Sequence, residues 1–67
     1  MISLDKKDLL ILHELQENAR ITNVELARKV NLSATPCAER VRSLEKNGFI
    51  QGYYARLNPS LLNVELL

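Results

Sequence analysis

The stretch TNVELARKVNLSATPCAERVRSLEK, Thr22 to Lys46, holds two helix starts and a helix stop in close succession. Thr22 followed three residues later by Glu25 is a capping box: the hydroxyl accepts the third amide of the helix, and the carboxylate reaches back to the amide of the capping residue itself. Ile21, just before it, can act as a hydrophobic staple. Val24, Leu26, Ala27 and Val30 follow, so a short helix is expected over about Asn23 to Val30. Asn31 tolerates the left-handed conformation that stops a helix. Only Asn31-Leu32-Ser33 separates this stop from the next start. Ser33 is a good cap. Thr35-Pro36 is a second possible start, with proline in the first turn, where its missing N–H does no harm. Cys37, Val41 and Leu44 then repeat at i, i+4 and i+7, which predicts a helix over Ala34 to Lys46, closed by Asn47-Gly48.

Two short helices joined by a turn of three or four residues have the layout of a helix-turn-helix, in which the second helix lies in the major groove and the first crosses the backbone. At about 100° per residue, Cys37, Val41 and Leu44 fall on one side of the second helix. Thr35, Glu39, Arg42 and Lys46 fall nearly opposite, with Ala38 and Ser43 flanking them. This outer face is chemically suited to DNA. Arg42 can fork onto a guanine edge, and Thr35 can bond a base or touch a thymine methyl. Ala38 leaves room for close approach. Glu39 can accept from a cytosine amino group, or equally pair with Lys46 or an arginine and touch no DNA. Ser33, with the amides of the helix start, can hold a phosphate. Arg20, Arg28, Lys29 and Lys46 suit phosphate contacts, which give affinity without sequence choice. Arg40 lies beside the apolar stripe and is open to two roles, an intramolecular salt bridge or a DNA contact. A surface helix with a cap, an apolar repeat and exposed bases remains the plainer alternative for the whole segment.

Outward from this segment, Leu4-Asp5 and Asp8 mark an earlier helix start, with Asp5 as cap and Asp8 adding negative charge to the first turn. Ile11, Leu12 and Leu15 make one face of a helix expected over Asp5 to Glu17. Leu9 and Leu10 widen that stripe. His13 stands alone, with no second metal ligand near it. After Gly48, the run Phe49 to Leu57 is rich in strand formers and predicts a short strand, weakened by Gly52. Tyr53 and Tyr54 suit sheet or domain packing, or stacking on a nucleotide. Asn58 to Leu62 is expected to be a turn or one helical turn. The apolar tail after it looks like the start of a second domain. The division expected is residues 4–57 as a DNA-binding unit and 58–67 as a linker into an α/β domain. The fold class expected is mainly α: three helices in a winged-helix-like arrangement with a short C-terminal strand.

Composition bounds the function. At 67 residues the chain is one small domain. Its 46% apolar and 25% charged residues are those of a globular chain, not a disordered one. With tryptophan absent and Phe49 the only phenylalanine, the core must be mostly Leu, Ile and Val. One cysteine, Cys37, leaves no internal disulfide or cysteine-cluster metal site and is expected to pack in the core, with a reactive role as the lesser reading. The net charge is only +1, but it is unevenly spread. Residues 1–19 carry two bases against four acids, whereas residues 20–46 carry six bases against three acids. The helix-turn-helix segment is thus the electropositive part. No apolar run approaches a bilayer span, and the start lacks the order of a signal peptide, so a cytoplasmic protein is expected. No nucleophile–base pair, glycine-rich phosphate loop or metal cluster points to an enzyme.

The segments LDKKDLLILHELQENARITNVELARKVNLS, ATPCAERVRSLEKNGFI and QGYYARLNP together resemble the DNA-binding domain of the Lrp/AsnC, or feast-famine, transcription regulators. The resemblance runs from Leu4 to about Pro59, and its specific part is Ser33-Ala34-Thr35-Pro36-Cys37 with Glu39-Arg40-Val41 and Leu44-Glu45. It implies sequence-specific binding of double-stranded DNA by a homodimer, with higher oligomers in the full-length protein. It also implies a following α/β domain that binds an effector, usually an amino acid, so no cofactor is expected in this chain. Lys7 departs from the family pattern, where an apolar residue is common; Leu9 and Leu10 are expected to take over its packing or cover a dimer contact. The reading region maps onto Asn23 through Arg42. With the outer-face and phosphate candidates, the DNA-facing set is Asn23, Arg28, Lys29, Ser33, Ala34, Thr35, Pro36, Ala38, Glu39, Arg40, Arg42, Ser43 and Lys46. A different class of function would use the Leu9–Leu15 stripe as a docking face for a partner protein.

Overall fold

The computed structural model describes residues 3–62, which form α1 (Lys6–Glu17), α2 (Asn23–Lys29), α3 (Ala34–Lys46) and a single turn, α4 (Pro59–Leu62). The expected tail of a second domain, residues 63–67, lies outside the described residues.

Local chemistry sets where each helix begins and ends. Asp5 caps α1, and Asp8 does more than charge the first turn: its carboxylate accepts the Asp5 amide, closing a reciprocal box with the Asp8 amide on Asp5. Thr22 and Glu25 form the second box at α2. Both α2 and α3 end in the same way. Asn31 sits at φ 62° and Gly48 at φ 84°. At α2 the Leu32 amide donates back to the Ala27 carbonyl and the Asn31 amide to Arg28; at α3, Phe49 donates to Leu44 and Gly48 to Glu45. These paired bonds are Schellman closures, which need one left-handed residue, and asparagine and glycine tolerate that region best.

α2 packs chiefly on α3, and α1 braces both. The core they enclose is Ile11, Leu26, Ala27, Val30, Cys37 and Leu44, all buried. Leu12, Leu15, Ile21 and Val41 are half-buried around it. The Leu9–Leu15 stripe therefore does not form one free face: Ile11 is fully inside, Leu12 and Leu15 lean on the core, and only Leu9 and Leu10 are exposed. Lys7 corrects another expectation. Leu9 and Leu10 do not take over its packing; Lys7 itself is half-buried and its ammonium donates to the Val30 carbonyl at the end of α2. A cation is favourable at that negative end of a helix.

The strand expected over Phe49–Leu57 is not formed. Phe49 and Ile50 both donate to the Leu44 carbonyl, Ile50 packs on the core, and residues 51–58 have no regular structure. The reason is the lack of a partner: among the described residues no other segment is a strand, and a strand's backbone groups need a neighbour to bond. The mainly α class holds, and so does the helical turn after Asn58.

Candidate nucleic-acid interface

The face of α3 turned from the core is built by the helix period itself. Cys37 and Leu44 are 0% and 1% exposed, and this anchors the orientation of the whole helix. Thr35, Glu39, Arg42 and Lys46 consequently lie on the exposed side, with Ala38 and Ser43 half-buried at its borders. Burial raises the Cys37 thiol above its ordinary value, which suits packing and not a reactive thiolate.

The start of α3 is open. Ser33 has the extended backbone of a cap, but its hydroxyl makes no capping bond. Counting from Ala34, the third helical residue is Pro36, which has no N–H to give, so the usual donor is missing. Ser33, Ala34, Thr35 and Pro36 are all exposed. Asn23 is drawn in to this point: its side-chain amide donates to the Ala34 carbonyl at 2.8 Å, tying the first residue of α2 to the first residue of α3. The two helix starts therefore lie side by side.

The candidate cations divide into two groups. Arg28, Arg42 and Lys46 are exposed and make no salt bridge among the described residues; Glu39 likewise has none, so its expected pairing with Lys46 or an arginine is not formed. Lys29 meets Glu14 loosely at 3.9 Å, with Lys29 exposed and Glu14 half-buried, a contact worth little. Arg40 is of the other kind. Its Nη1 lies 2.7 Å and 2.8 Å from the two Asp5 oxygens and 3.1 Å from Asp8 Oδ1. Of its two open roles, the intramolecular salt bridge is the one formed. Ser43 is half-buried, and the exposed Asn47 side-chain amide donates to its main-chain carbonyl at 2.8 Å and lies 3.4 Å from its hydroxyl.

Beyond α3 the chain folds back on itself. The Tyr53 hydroxyl donates to Glu45 at 2.8 Å, while Tyr54 is 82% exposed. Burial first, and the Glu45 carboxylate second, push the Tyr53 phenol up to about 12. A phenol whose folded value is raised favours the native state fully below its unfolded value of about 10 and loses that contribution as pH climbs through the folded value. Ultraviolet titration should therefore find one tyrosine ionising near 12, and Glu45→Gln should bring it down. A Glu45→Gln titration that matches the parent would remove the contact from the account.

Residues 4–51 match the family of winged helix-turn-helix DNA-binding domains. The chain is 61% identical over 64 residues to the leucine-responsive regulatory proteins of Escherichia coli K12 and Salmonella typhimurium, an alignment that takes in 96% of this chain and 39% of those relatives. Among solved structures, a Neisseria meningitidis transcriptional regulator in complex with L-methionine superposes at a TM-score of 0.89 with 49% identity, over 91% of this chain and 40% of that one. LrpC from B. subtilis superposes at 0.87 with 39% identity, over 91% and 44%. The chain thus spans about two fifths of the length of these relatives. Among its described residues there is no strand pair, so the wing of the family name is not formed within them. With the capped α2–turn–α3 unit, the cationic outer face and these matches together, the chain belongs to the winged helix-turn-helix DNA-binding family, as the helix-turn-helix domain of an Lrp/AsnC-type regulator.

Proposed function

We propose that α3 is the recognition helix of this domain and lies in the major groove of double-stranded DNA, with Thr35, Ala38, Glu39 and Arg42 toward the base edges. The observation that carries this is the division of α3: the Cys37 and Leu44 side is sealed, while Thr35, Glu39, Arg42 and Lys46 stand in solvent without ion-pair partners among the described residues. Ser33 and Pro36 sit at the entry to the groove, and the unused Ser33 hydroxyl beside the first amides of α3 suits a phosphate oxygen. Arg20, Arg28, Lys29 and Lys46 supply the sequence-independent contacts. Ala34 and Ser43 border the interface, and Asn23 serves it by fastening α2 to α3.

The protein acts as a homodimer, with higher assemblies formed by the parts beyond this domain. An amino acid serves as effector there, in keeping with the L-methionine bound by the Neisseria relative. Two recognition helices then meet half-sites about one helical turn, roughly 34 Å, apart.

Selection of bound duplexes from a random pool, followed by salt titration of the winners, tests this. Enrichment of inverted half-sites at that spacing, with affinity falling steeply as salt rises, is the expected result. A pool that never enriches would sink the proposal and leave the exposed Leu9–Leu10 surface as the place to look for a protein partner.

A further inference from the structure

Arg40 is joined to residues 35 and 32 positions away in the sequence, at the far end of the domain's first helix. Its two acceptors are not free-swinging surface acids. Asp5 Oδ1 already accepts the Asp8 amide at 2.9 Å, and Asp8 Oδ2 accepts the Asp5 amide at 3.3 Å, so both carboxylates are fixed by the turn that starts α1. The Asp8 side chain is only 12% exposed and that of Arg40 32%. On α3, Arg40 lies between the sealed stripe and the exposed face, next in sequence to Glu39 and two residues before Arg42. The buried Cys37 and Leu44 stripe sets which side of α3 faces inward, and a directional bond at its border adds a second, off-axis restraint on rotation of the helix about its own axis. Rotation matters because Arg42 must point at a base edge within the tolerance of a bidentate hydrogen bond, and Thr35 within that of a single one.

We propose that Arg40 is a positioning residue for DNA recognition and not a DNA contact: held by the carboxylates that cap α1, it fixes the roll of α3 and so the aim of Thr35 and Arg42. This rests on α3 being the groove-inserted helix. The bonds to Asp5 and Asp8 hold Nη1 of the guanidinium at the start of α1, and the two acids beside it repel the DNA backbone. Consistent with a fixed pair, Arg40 holds the Asp5 carboxyl below its usual range and is itself raised by Asp5 and then Asp8.

The test uses the protein carrying this chain, its selected DNA site and an unrelated duplex, with affinities measured across salt, well below the melting midpoint of the weakest variant. The variants are Arg40→Met, Arg40→Lys, Asp5→Asn, the pair Asp5→Asn with Asp8→Asn, and the pair combined with Arg40→Met. Asparagine caps helices about as well as aspartate, so Asp5→Asn removes charge and keeps the cap of α1, while an asparagine at position 8 keeps an amide oxygen able to accept the Asp5 N–H. Asp5→Asn alone, at an exposed position, covers the case in which the pair fails to fold.

Positioning predicts that Arg40→Met weakens the specific site by roughly tenfold, within the range that networked residues show. It also predicts that the unrelated duplex and the salt slope barely change. The aspartate pair should give the same loss, the combination no further loss, and Arg40→Lys a partial recovery. A direct phosphate contact predicts the reverse: Arg40→Met lowers the salt slope by about 1, and the aspartate changes tighten binding by freeing the guanidinium. That result overturns the proposal, as does an affinity unchanged in every variant, which would leave Arg40 a stabilising residue only. A parent protein with no specific site overturns the reading of α3 and this proposal with it. A parent that binds specifically while the variants depart from the positioning pattern overturns this proposal alone.

Discussion

Leu44→Ala should lower the unfolding free energy by about 2–5 kcal/mol, the span seen when a buried leucine is cut back to its Cβ. Leu44 is 1% exposed and belongs to the cluster that joins all three long helices, so the truncation leaves a cavity at their junction. Its main-chain carbonyl, which accepts from Phe49 and Ile50, is untouched by the change, so the loss reports side-chain packing alone. A domain of this size has a total stability of about 3–10 kcal/mol. One side chain therefore decides whether much of the population is folded. Leu9→Ala on α1 is the matched control: Leu9 is 56% exposed, and surface substitutions usually stay within about 0.5 kcal/mol. Urea denaturation without DNA compares the two. Equal midpoints for Leu44→Ala and Leu9→Ala would mean that the inward face of α3 has been misassigned, and the outward face with it.

What the sequence made legible was local. The caps at Asp5 and Thr22, the left-handed stops at Asn31 and Gly48, and the Cys37–Val41–Leu44 period each depend on residues within one or two turns. The structure has helix bounds within a residue of those expected. What sequence reasoning missed depends on partners far along the chain. The Phe49–Leu57 run has the composition of a strand, but composition cannot say whether another strand lies beside it. Arg40 carries the same charge as Arg42, and only the fold brings Asp5 and Asp8 to one and not the other. Lys7 looked like a departure from an apolar position, because no pattern along the chain announces that the Val30 carbonyl will end above it. The absent bond at Ser33 is the exception. Ser33 reads as a good cap and the missing Pro36 N–H as harmless; the structure corrects both, because that N–H is one the cap would have bonded. For the candidate site, the outer face of α3 could be read from the wheel. The partners of Asn23, Arg40 and Ser43 within the domain could not, although a salt bridge was one of the two roles open to Arg40.

Arg42→Ala should weaken binding to the selected site by about 1–3 kcal/mol and relax the preference at one base pair. Arg42 is the arginine on the exposed side of α3 with no salt bridge among the described residues, so its guanidinium is available to fork onto a guanine. For the same reason its removal disturbs nothing inside the domain. Arginine and alanine are both good helix formers, so thermal melting should hardly move. Lys46→Ala provides the contrast on the same helix. A phosphate contact there predicts a similar loss on every sequence and a salt slope reduced by about 1. Arg42→Lys divides charge from shape: lysine keeps the attraction to DNA but lacks the planar fork, so affinity for unrelated duplexes should survive while discrimination at that base pair falls. If Arg42→Ala instead cost the same on every duplex, Arg42 would be a backbone contact. The base-reading face would then have to be sought among Thr35, Ala38 and Glu39, whose short or acidic side chains demand a closer approach of α3 to the groove floor.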